Sequence, residues 1–314
     1  MKTYVINRIF LMLITLIGMS VLIFALLRLA PGNIVDILFD SAGYVDQADK
    51  KLIEAELGLD RPLVMQYLGW IGDLARGNLG KSYRLEIPAW QVIAPRIPVT
   101  LELAVLSLFF AVLFGVPLGV ISAVKQDSAL DYLLRVFSLS GLSMPSFWLG
   151  MMVILVLVLN FDLSPIYIEP PKTFADHVRL FGIPAAAVGF RSSALIMRLT
   201  RSAMLEVLRQ DYIQTARAKG LNARVINYHH ALKNAILPVV TVIGIEAAFL
   251  IGGLIITETV FNIPGVARFL VQAILWRDYP IVQNLVMFIA LIVVSTNLIV
   301  DLLYVWLDPR VQFG

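Results

Sequence analysis

The chain has 314 residues, 59% of them hydrophobic and 15% charged, with a mean hydropathy of +0.83. That leaves too little polar surface to coat a soluble globule of this size, whereas apolar runs of about 20 residues, enough to cross a bilayer as helix, recur along the sequence. A formal charge of +3 and a pI near 9.1 are too modest to indicate nucleic-acid binding, and the absence of cysteine excludes disulfides, Cys-ligated metals and thiol nucleophiles.

Residues 9–29 form the first predicted span, and Lys2 and Arg8 before it hold the N-terminus in the cytoplasm. The run is too long for the apolar core of a secretory signal, and no small-x-small cleavage site follows it. It reads as a retained helix stopped by Pro31-Gly32. Residues 33–98 are polar, mixed in charge and long for a loop, which suggests an extracytoplasmic subdomain. Within it, 47–57 has helical spacing and ends at Gly58. Residues 63–74 carry Leu63, Tyr67, Trp70, Ile71 and Leu74 as an apolar stripe.

Residues 99–124 are the second span, ending in a short loop with Lys125, Asp127 and Asp131. The third, 133–159, is interrupted at Ser143-Met144-Pro145-Ser146. Proline there removes a backbone donor and kinks the helix, which either serves packing or lines a cavity. After an external loop at 160–177 comes the fourth span, 178–199; the fifth is 239–261. Asn262-Ile263-Pro264-Gly265 opens the last outer loop, which carries WRDYP at 276–280. Residues 281–307 contain the sixth span, and Asp308-Pro309-Arg310 closes the chain in the cytoplasm. Six spans place both termini inside. No internal repeat or low-complexity linker divides the chain, so 1–314 reads as one all-α polytopic membrane domain.

Two charges stand where lipid would surround the chain: Arg191 in the fourth span and Glu246 in the fifth. Ionisable groups at that depth cost about 2.5–3.5 kcal/mol on insertion scales. Both lie about 12–14 Å inside a cytoplasmic boundary placed near Thr200 and Pro238, at about 1.5 Å per residue. They are expected either to pair and fix helix packing or, with Pro145, to line a translocation pathway.

Between the fourth and fifth spans, segment 198–238 is basic, holding Arg198, Arg201, Arg209, Arg217, Lys219, Arg224 and Lys233 against Glu206 and Asp211. Such a connection belongs in the cytoplasm. Alanines 216 and 218 favour helix and Gly220 suits the positive φ that ends one, so 212–219 is expected to be a short helix at the cytoplasmic surface.

The run QTARAKGL followed by HALKNAILPVVT resembles the cytoplasmic coupling motif of ABC-transporter permeases. It is closest to the form seen in the dipeptide, oligopeptide, glutathione and nickel importer family, in its first permease subunit type. Gln214 and Thr215 stand where Glu and Ala are commonest, and Gly220 lies further from Pro238 than in most permeases outside the peptide group. LGLDRPL, GNLGKSY, FNIPG, RDYP and DPR also resemble that family, so the likeness runs nearly end to end.

The resemblance implies the six-helix fold of a type I ABC importer permease, with Gln214, Thr215, Ala216, Arg217, Ala218, Lys219 and Gly220 coupling it to ATPases. It also implies a second homologous permease, two ABC ATPase subunits that bind ATP and Mg, and an extracytoplasmic substrate-binding protein, all at a bacterial or archaeal inner membrane and surrounded by lipid. The substrate implied is a di- or oligopeptide, with a nickel chelate or glutathione as the alternatives.

The residues themselves show no enzyme. There is no GxxxxGK[ST] phosphate loop, HExxH or GxSxG, and His229 and His230, adjacent on a helix, would point about 100° apart and chelate a metal poorly. A secondary transporter is the other reading, although it would usually show inverted repeats and more intramembrane ionisable groups.

Overall fold

The computed structural model describes residues 2–30, 35 and 47–307. The proposed stop at Pro31-Gly32 and the terminal Asp308-Pro309-Arg310 lie outside the described residues. The chain is helical: α1 (Lys2–Leu29), α2 (Gln47–Glu56), α3 (Leu63–Ala75), α4 (Ala89–Ile93), α5 (Ile97–Val124), α6 (Ala129–Ser143), α7 (Ser146–Phe161) and α8 (Phe174–His177) make the first half. The second half holds α9 (Ile183–Leu208), α10 (Asp211–Ala218), α11 (Ala223–Val225), α12 (Leu232–Gly253), α13 (Ile255–Val260), α14 (Val266–Leu275) and α15 (Tyr279–Leu307). Among the described residues, five helical stretches are long and apolar enough to cross a bilayer: Ile6–Leu29, Ala89–Val124, Phe174–Leu208, Ala223–Gly253 and Tyr279–Leu302. The pair α6 and α7 makes a sixth span if taken as one.

Several boundaries differ from those expected. The third span is not a kinked helix but two helices that meet at 106°. Pro145 supplies no N–H and drives Met144 into extended backbone (ψ 130), so α6 ends and α7 starts afresh behind Pro145. The second span starts upstream, at α4, and continues through the 3-10 turn Ala94–Arg96; Pro95 sits in the first turn, where a missing N–H costs nothing. The fourth span runs from α8 through a π-helical stretch, Val178–Gly182, to Leu208, well past Thr200. The fifth begins before Pro238, which lies inside α12. The stretch expected as the last outer loop contains α14, whose Val266, Phe269, Leu270 and Ala273 repeat at helical spacing and are all buried.

Contacts divide the chain into two units. Unit 1 comprises Met1–Val99 and Pro264–Val294, and unit 2 comprises Thr100–Ile263 and Ser295–Gly314. In unit 1, α4, α14 and the start of α15 form the core through Val92, Ile93, Phe269, Ile281 and Leu285, and the Arg96 guanidinium lies 4.1 Å from the Phe269 ring centroid. Helix α3 uses only part of its expected stripe. Tyr67 and Trp70 pack on Phe24 of α1, at centroid distances of 5.4 and 6.4 Å, whereas Leu63 is exposed.

In unit 2 the core lies along α9. A Cβ added to Gly119 of α5 would stand 2.6 Å from the Thr200 Cβ and 2.7 Å from the Met197 carbonyl oxygen, and one on Gly189 of α9 would stand 2.6 Å from the Ser107 carbonyl. Small residues on both helices thus bring the backbones of α5 and α9 together, the device by which helices associate in lipid. On the other side of α9, Ser138 of α6 donates to the Ala194 carbonyl at 2.8 Å.

Candidate coupling segment and buried polar sites

Helix α9 continues to Leu208, and after Gln210 turns extended (ψ 148) α10 begins at Asp211, a first-turn acid that favours the helix dipole. Ile213 is fully buried and Ala216, three positions on, is half-buried. Both join a cluster with Met204 of α9, Ile226, and Ala231 and Ala235 at the start of the fifth span. Gln214, Thr215, Arg217, Ala218, Lys219 and Gly220 are left exposed. Ala216 therefore turns toward its own bundle, whereas Ala218 faces outward. Gly220 adopts φ +75; its N–H donates to the Arg217 carbonyl at 2.9 Å and the Leu221 N–H donates to that of Ala216 at 3.3 Å. Asn234 Nδ2 donates to the Tyr212 hydroxyl at 2.8 Å, which ties the start of α10 to α12. Beside α10 lies a cleft of about 570 Å³, lined by Gln126 of the α5–α6 loop, Arg209, Gln214, Arg217 and Asn227 among others.

A buried ionic lock sits near the same end of α9. Asp131, with no exposed surface, accepts from Arg201 Nε and Nη2, each at 2.8 Å. Its remaining lone pairs take the Ser122 hydroxyl at 2.5 Å and the Asp127 N–H at 3.0 Å, and Arg135 Nε stands 3.6 Å away. This fork joins the end of α5, the start of α6 and α9. Sequence reasoning saw Asp131 as a loop acid and Arg201 as one of many surface cations; 70 residues separate them, and no spacing rule connects them.

Arg191 and Glu246 do not pair. Glu246 is buried and accepts from the Ser192 hydroxyl at 2.5 Å, while the Arg191 guanidinium lies 5.4 Å from the Phe249 ring centroid. The reason is which residues of the two helices meet: Ser192 takes Glu246, whereas Arg191 lies over Phe249, three positions further along the same α12. Pro145 lies with Ser143, Phe147 and Trp148 along a cavity of about 540 Å³ at the α6–α7 bend. Sequence reasoning missed a further acid. Glu258 of α13 is fully buried and accepts from the Thr100 hydroxyl at 2.6 Å. It stands in the run IITETV, where an acid among apolar residues was a visible signal.

In unit 1 two of the resembling phrases meet. Ser82 of GNLGKSY donates to the buried Asp278 of WRDYP, which also accepts from the N–H groups of Tyr83 and Arg84 at 3.2 Å each. Asn284 Nδ2 donates to the Leu79 carbonyl at 2.7 Å. Burial holds the Tyr83 phenol above its usual range, offset in part by Arg28.

Comparison with known proteins gives a consistent picture. Residues 115–313 match the family model described as "Binding-protein-dependent transport system inner membrane component", and residues 1–104 match its N-terminal companion. The chain is 39% identical to the di/tripeptide transport system permease protein DppB of Pseudomonas aeruginosa and 40% identical to the dipeptide transport system permease protein DppB of Escherichia coli K12; each match covers 99% of both chains. It is 39% identical to the DppB of Alkalihalophilus pseudofirmus over the whole of both chains. A solved chain of the MetNI methionine ABC transporter, in inward-facing conformations, shares the fold with a TM-score of 0.56 at 17% identity, covering 69% of this chain and 97% of that one. The six potential spans, the short helix α10 between two of them and the full-length likeness to these permeases converge: this chain belongs to the inner-membrane component family of binding-protein-dependent transport systems and is an ABC importer permease subunit.

Proposed function

We propose that this permease carries di- or tripeptides, or longer oligopeptides, across the inner membrane with both of its termini in the cytoplasm. The whole chain, 1–314, serves as one permease domain. It works beside a second homologous permease, on two ATPase subunits that hold ATP and Mg, and an extracytoplasmic binding protein presents the substrate to 33–98 and its neighbours. The observation that carries this reading is α10. Its inner edge, Ile213 and Ala216, is set in the bundle, and Gln214, Thr215, Arg217, Ala218, Lys219 and Gly220 face outward on a rigid turn. A helix held in this way passes a push from an ATPase groove into α9 and α12 rather than dissipating it in a loop. The dipeptide and di/tripeptide substrates named for the relatives supply the cargo class.

Along the pathway, Arg191 at its half-buried position and the Pro145 bend are assigned to the translocation route, and Glu246 to holding α9 on α12 through Ser192. The test is reconstitution of the complete importer in liposomes, with labelled dialanine offered through its binding protein. ATP-dependent accumulation supports the reading; accumulation driven by an ion gradient without ATPase subunits overturns it. Orientation is checked separately with Lys81→Cys, which should react with an impermeant thiol reagent from outside the inner membrane. Labelling only after that membrane is opened would reverse the topology.

A further inference from the structure

Helix α9 is walled on three sides and open on a fourth. Ser192 binds Glu246 of α12, while Gly189, Ile196 and Thr200 meet α5, and the Ala194 carbonyl takes Ser138 of α6. Phe190 and Arg201 are likewise turned to α6, through the Phe137 ring at 4.8 Å and through Asp131. That leaves Arg191, Leu195, Arg198 and Ser202, spaced four, three and four positions apart, all of which keep exposed surface. At about 100° per residue they fall within about 60° of one another, so they form one stripe down the helix.

Two guanidiniums stand on this stripe without an acid. The Arg191 guanidinium lies 5.4 Å from the Phe249 ring centroid, and Phe249 and Ile245 make an exposed apolar border on α12. Among the described residues neither Arg191 nor Arg198 has a carboxylate partner. The acids of the adjoining helices are turned elsewhere, Glu246 to Ser192 and Asp131 to the fork of Arg201. Glu206, the next acid along α9, stands eight positions beyond Arg198, about 12 Å by helical rise. Arg191 belongs to a stretch long and apolar enough to cross the bilayer, and ionisable groups so placed face a bundle interior or a watery cavity rather than lipid. Two cations in a row, bordered by apolar surface and free of acids, describe a route for an anion.

The cargo class supplies that anion. Every di- or tripeptide, whatever its side chains, ends in one carboxylate, and a guanidinium grips a carboxylate through two parallel N–H bonds. Arg191 and Arg198 are seven positions apart, about 10 Å along the helix axis, so they meet a moving carboxylate in succession.

We propose that the open stripe of α9 passes the C-terminal carboxylate of the peptide from Arg191 to Arg198. Arg198 is then a specificity-determining residue of the route, and not merely one of the cations that hold its segment in the cytoplasm. The inference rests on the peptide reading of the cargo.

The sequence has no cysteine, so Leu195→Cys places a single thiol in this chain, between the two arginines. In the complete, nucleotide-free importer in nanodiscs it is offered an anionic and a cationic thiosulfonate of similar size, each rate being divided by that with a free thiol in solution. The anionic reagent is expected to label it at least about tenfold faster, because a cationic track concentrates counter-ions. Arg198→Gln in the same background should remove most of that preference. Transport is then measured in liposomes, with the binding protein saturated by dialanine or by dialanine amide, which lacks the carboxylate. Arg198→Gln should lower kcat for dialanine by about tenfold with KM little changed, and should alter the amide by less than about twofold. Arg198→Lys should recover part of the dialanine rate.

An unlabelled Leu195→Cys, as under lipid or beneath a second permease whose own acids answer the arginines, overturns the inference. So does labelling without charge preference, or an Arg198→Gln defect equal for both peptides, which would mark a structural role. The labelling uses no peptide, so it decides the nature of the stripe even where a variant importer turns over poorly. Peptide transport with Leu195→Cys unlabelled overturns this inference alone. Labelling in an importer that moves no peptide overturns the cargo reading, and the carboxylate assignment with it.

Discussion

The lock on Asp131 gives the sharpest prediction, because its two partners are unequally buried. Asp131 has no exposed side-chain surface, whereas Arg201 retains 18%. Replacing Arg201 by Ala strands a buried carboxylate with the Ser122 hydroxyl, the Asp127 N–H and a distant Arg135, and breaking a buried pair in this way costs about 3–5 kcal/mol. Arg135 at 3.6 Å recovers part of that, so the lower end of the range applies. Replacing Asp131 by Ala instead frees an arginine that already reaches solvent; the loss is then nearer that of charged hydrogen bonds, about 1.5–3 kcal/mol. The double variant removes the stranded charge and should cost no more than Arg201→Ala alone. The assay is reversible denaturant unfolding of the purified permease in mixed micelles, with each variant's transport and ATP hydrolysis measured in the full importer. Arg201 lies two turns before the end of α9 at Leu208, about 10 Å by helical rise, so the variants should also hydrolyse more ATP per peptide moved. Asp131→Ala costing as much as Arg201→Ala, or costs that simply add in the double variant, would refute the reasoning.

Three further outcomes are expected. Gly119→Ala should destabilise the permease by about 1–3 kcal/mol in the same unfolding assay, because its Cβ meets Thr200 and a carbonyl, whereas Gly252→Ala, with open space around it, should not. Gly220→Val should insert normally but lose peptide-stimulated ATP hydrolysis, since a side chain at φ +75 costs about 1–2 kcal/mol and more when β-branched; Gly220→Asn, which tolerates that backbone, should keep most of it. Ser192→Ala and Glu246→Ala should couple by about 0.5–3 kcal/mol in a double-mutant cycle, and more strongly than Arg191→Ala does with Glu246→Ala.

Much of the fold was legible because the bilayer demands a simple signal. Long apolar runs gave the spans, and local chemistry gave α2, α3 and the Gly220 stop of α10. The misses have physical causes. Helix α14 carries a clean apolar period, but it lies between IPG and WRDYP, and those turn signals marked the whole stretch as loop. Proline at 145 announced a break without its size, since the 106° turn depends on how α6 and α7 each pack on their neighbours. The proposed Arg191–Glu246 contact failed by one position, Ser192 taking Glu246 instead, which depth counting along a span cannot resolve. Asp131 with Arg201, and Ser82 with Asp278, are tertiary partners far apart in sequence, and each residue alone looks ordinary.

Those partners share one design. Among the described residues the buried acids are Asp131, Glu246, Glu258 and Asp278, and each accepts from a Ser or Thr hydroxyl of another element: Ser122, Ser192, Thr100 and Ser82 in turn. A hydroxyl is suited to this task. It has little side-chain entropy to lose, adds no second charge to desolvate, and rotates to donate to a carboxylate or accept from a carboxylic acid. A hydroxyl therefore satisfies a buried acid at little entropic cost and without a second buried charge. At Asp131 a bidentate arginine is added, and that choice is different in kind: it fixes the carboxylate as an anion and makes the joint between α5, α6 and α9 rigid. The forked joint stands where α9 runs toward α10, and the single hydroxyl contact of Glu246 stands between α9 and α12. On the role proposed for α10, α9 carries force at that end while its helices shift against one another in the middle, and the two kinds of contact suit those two places.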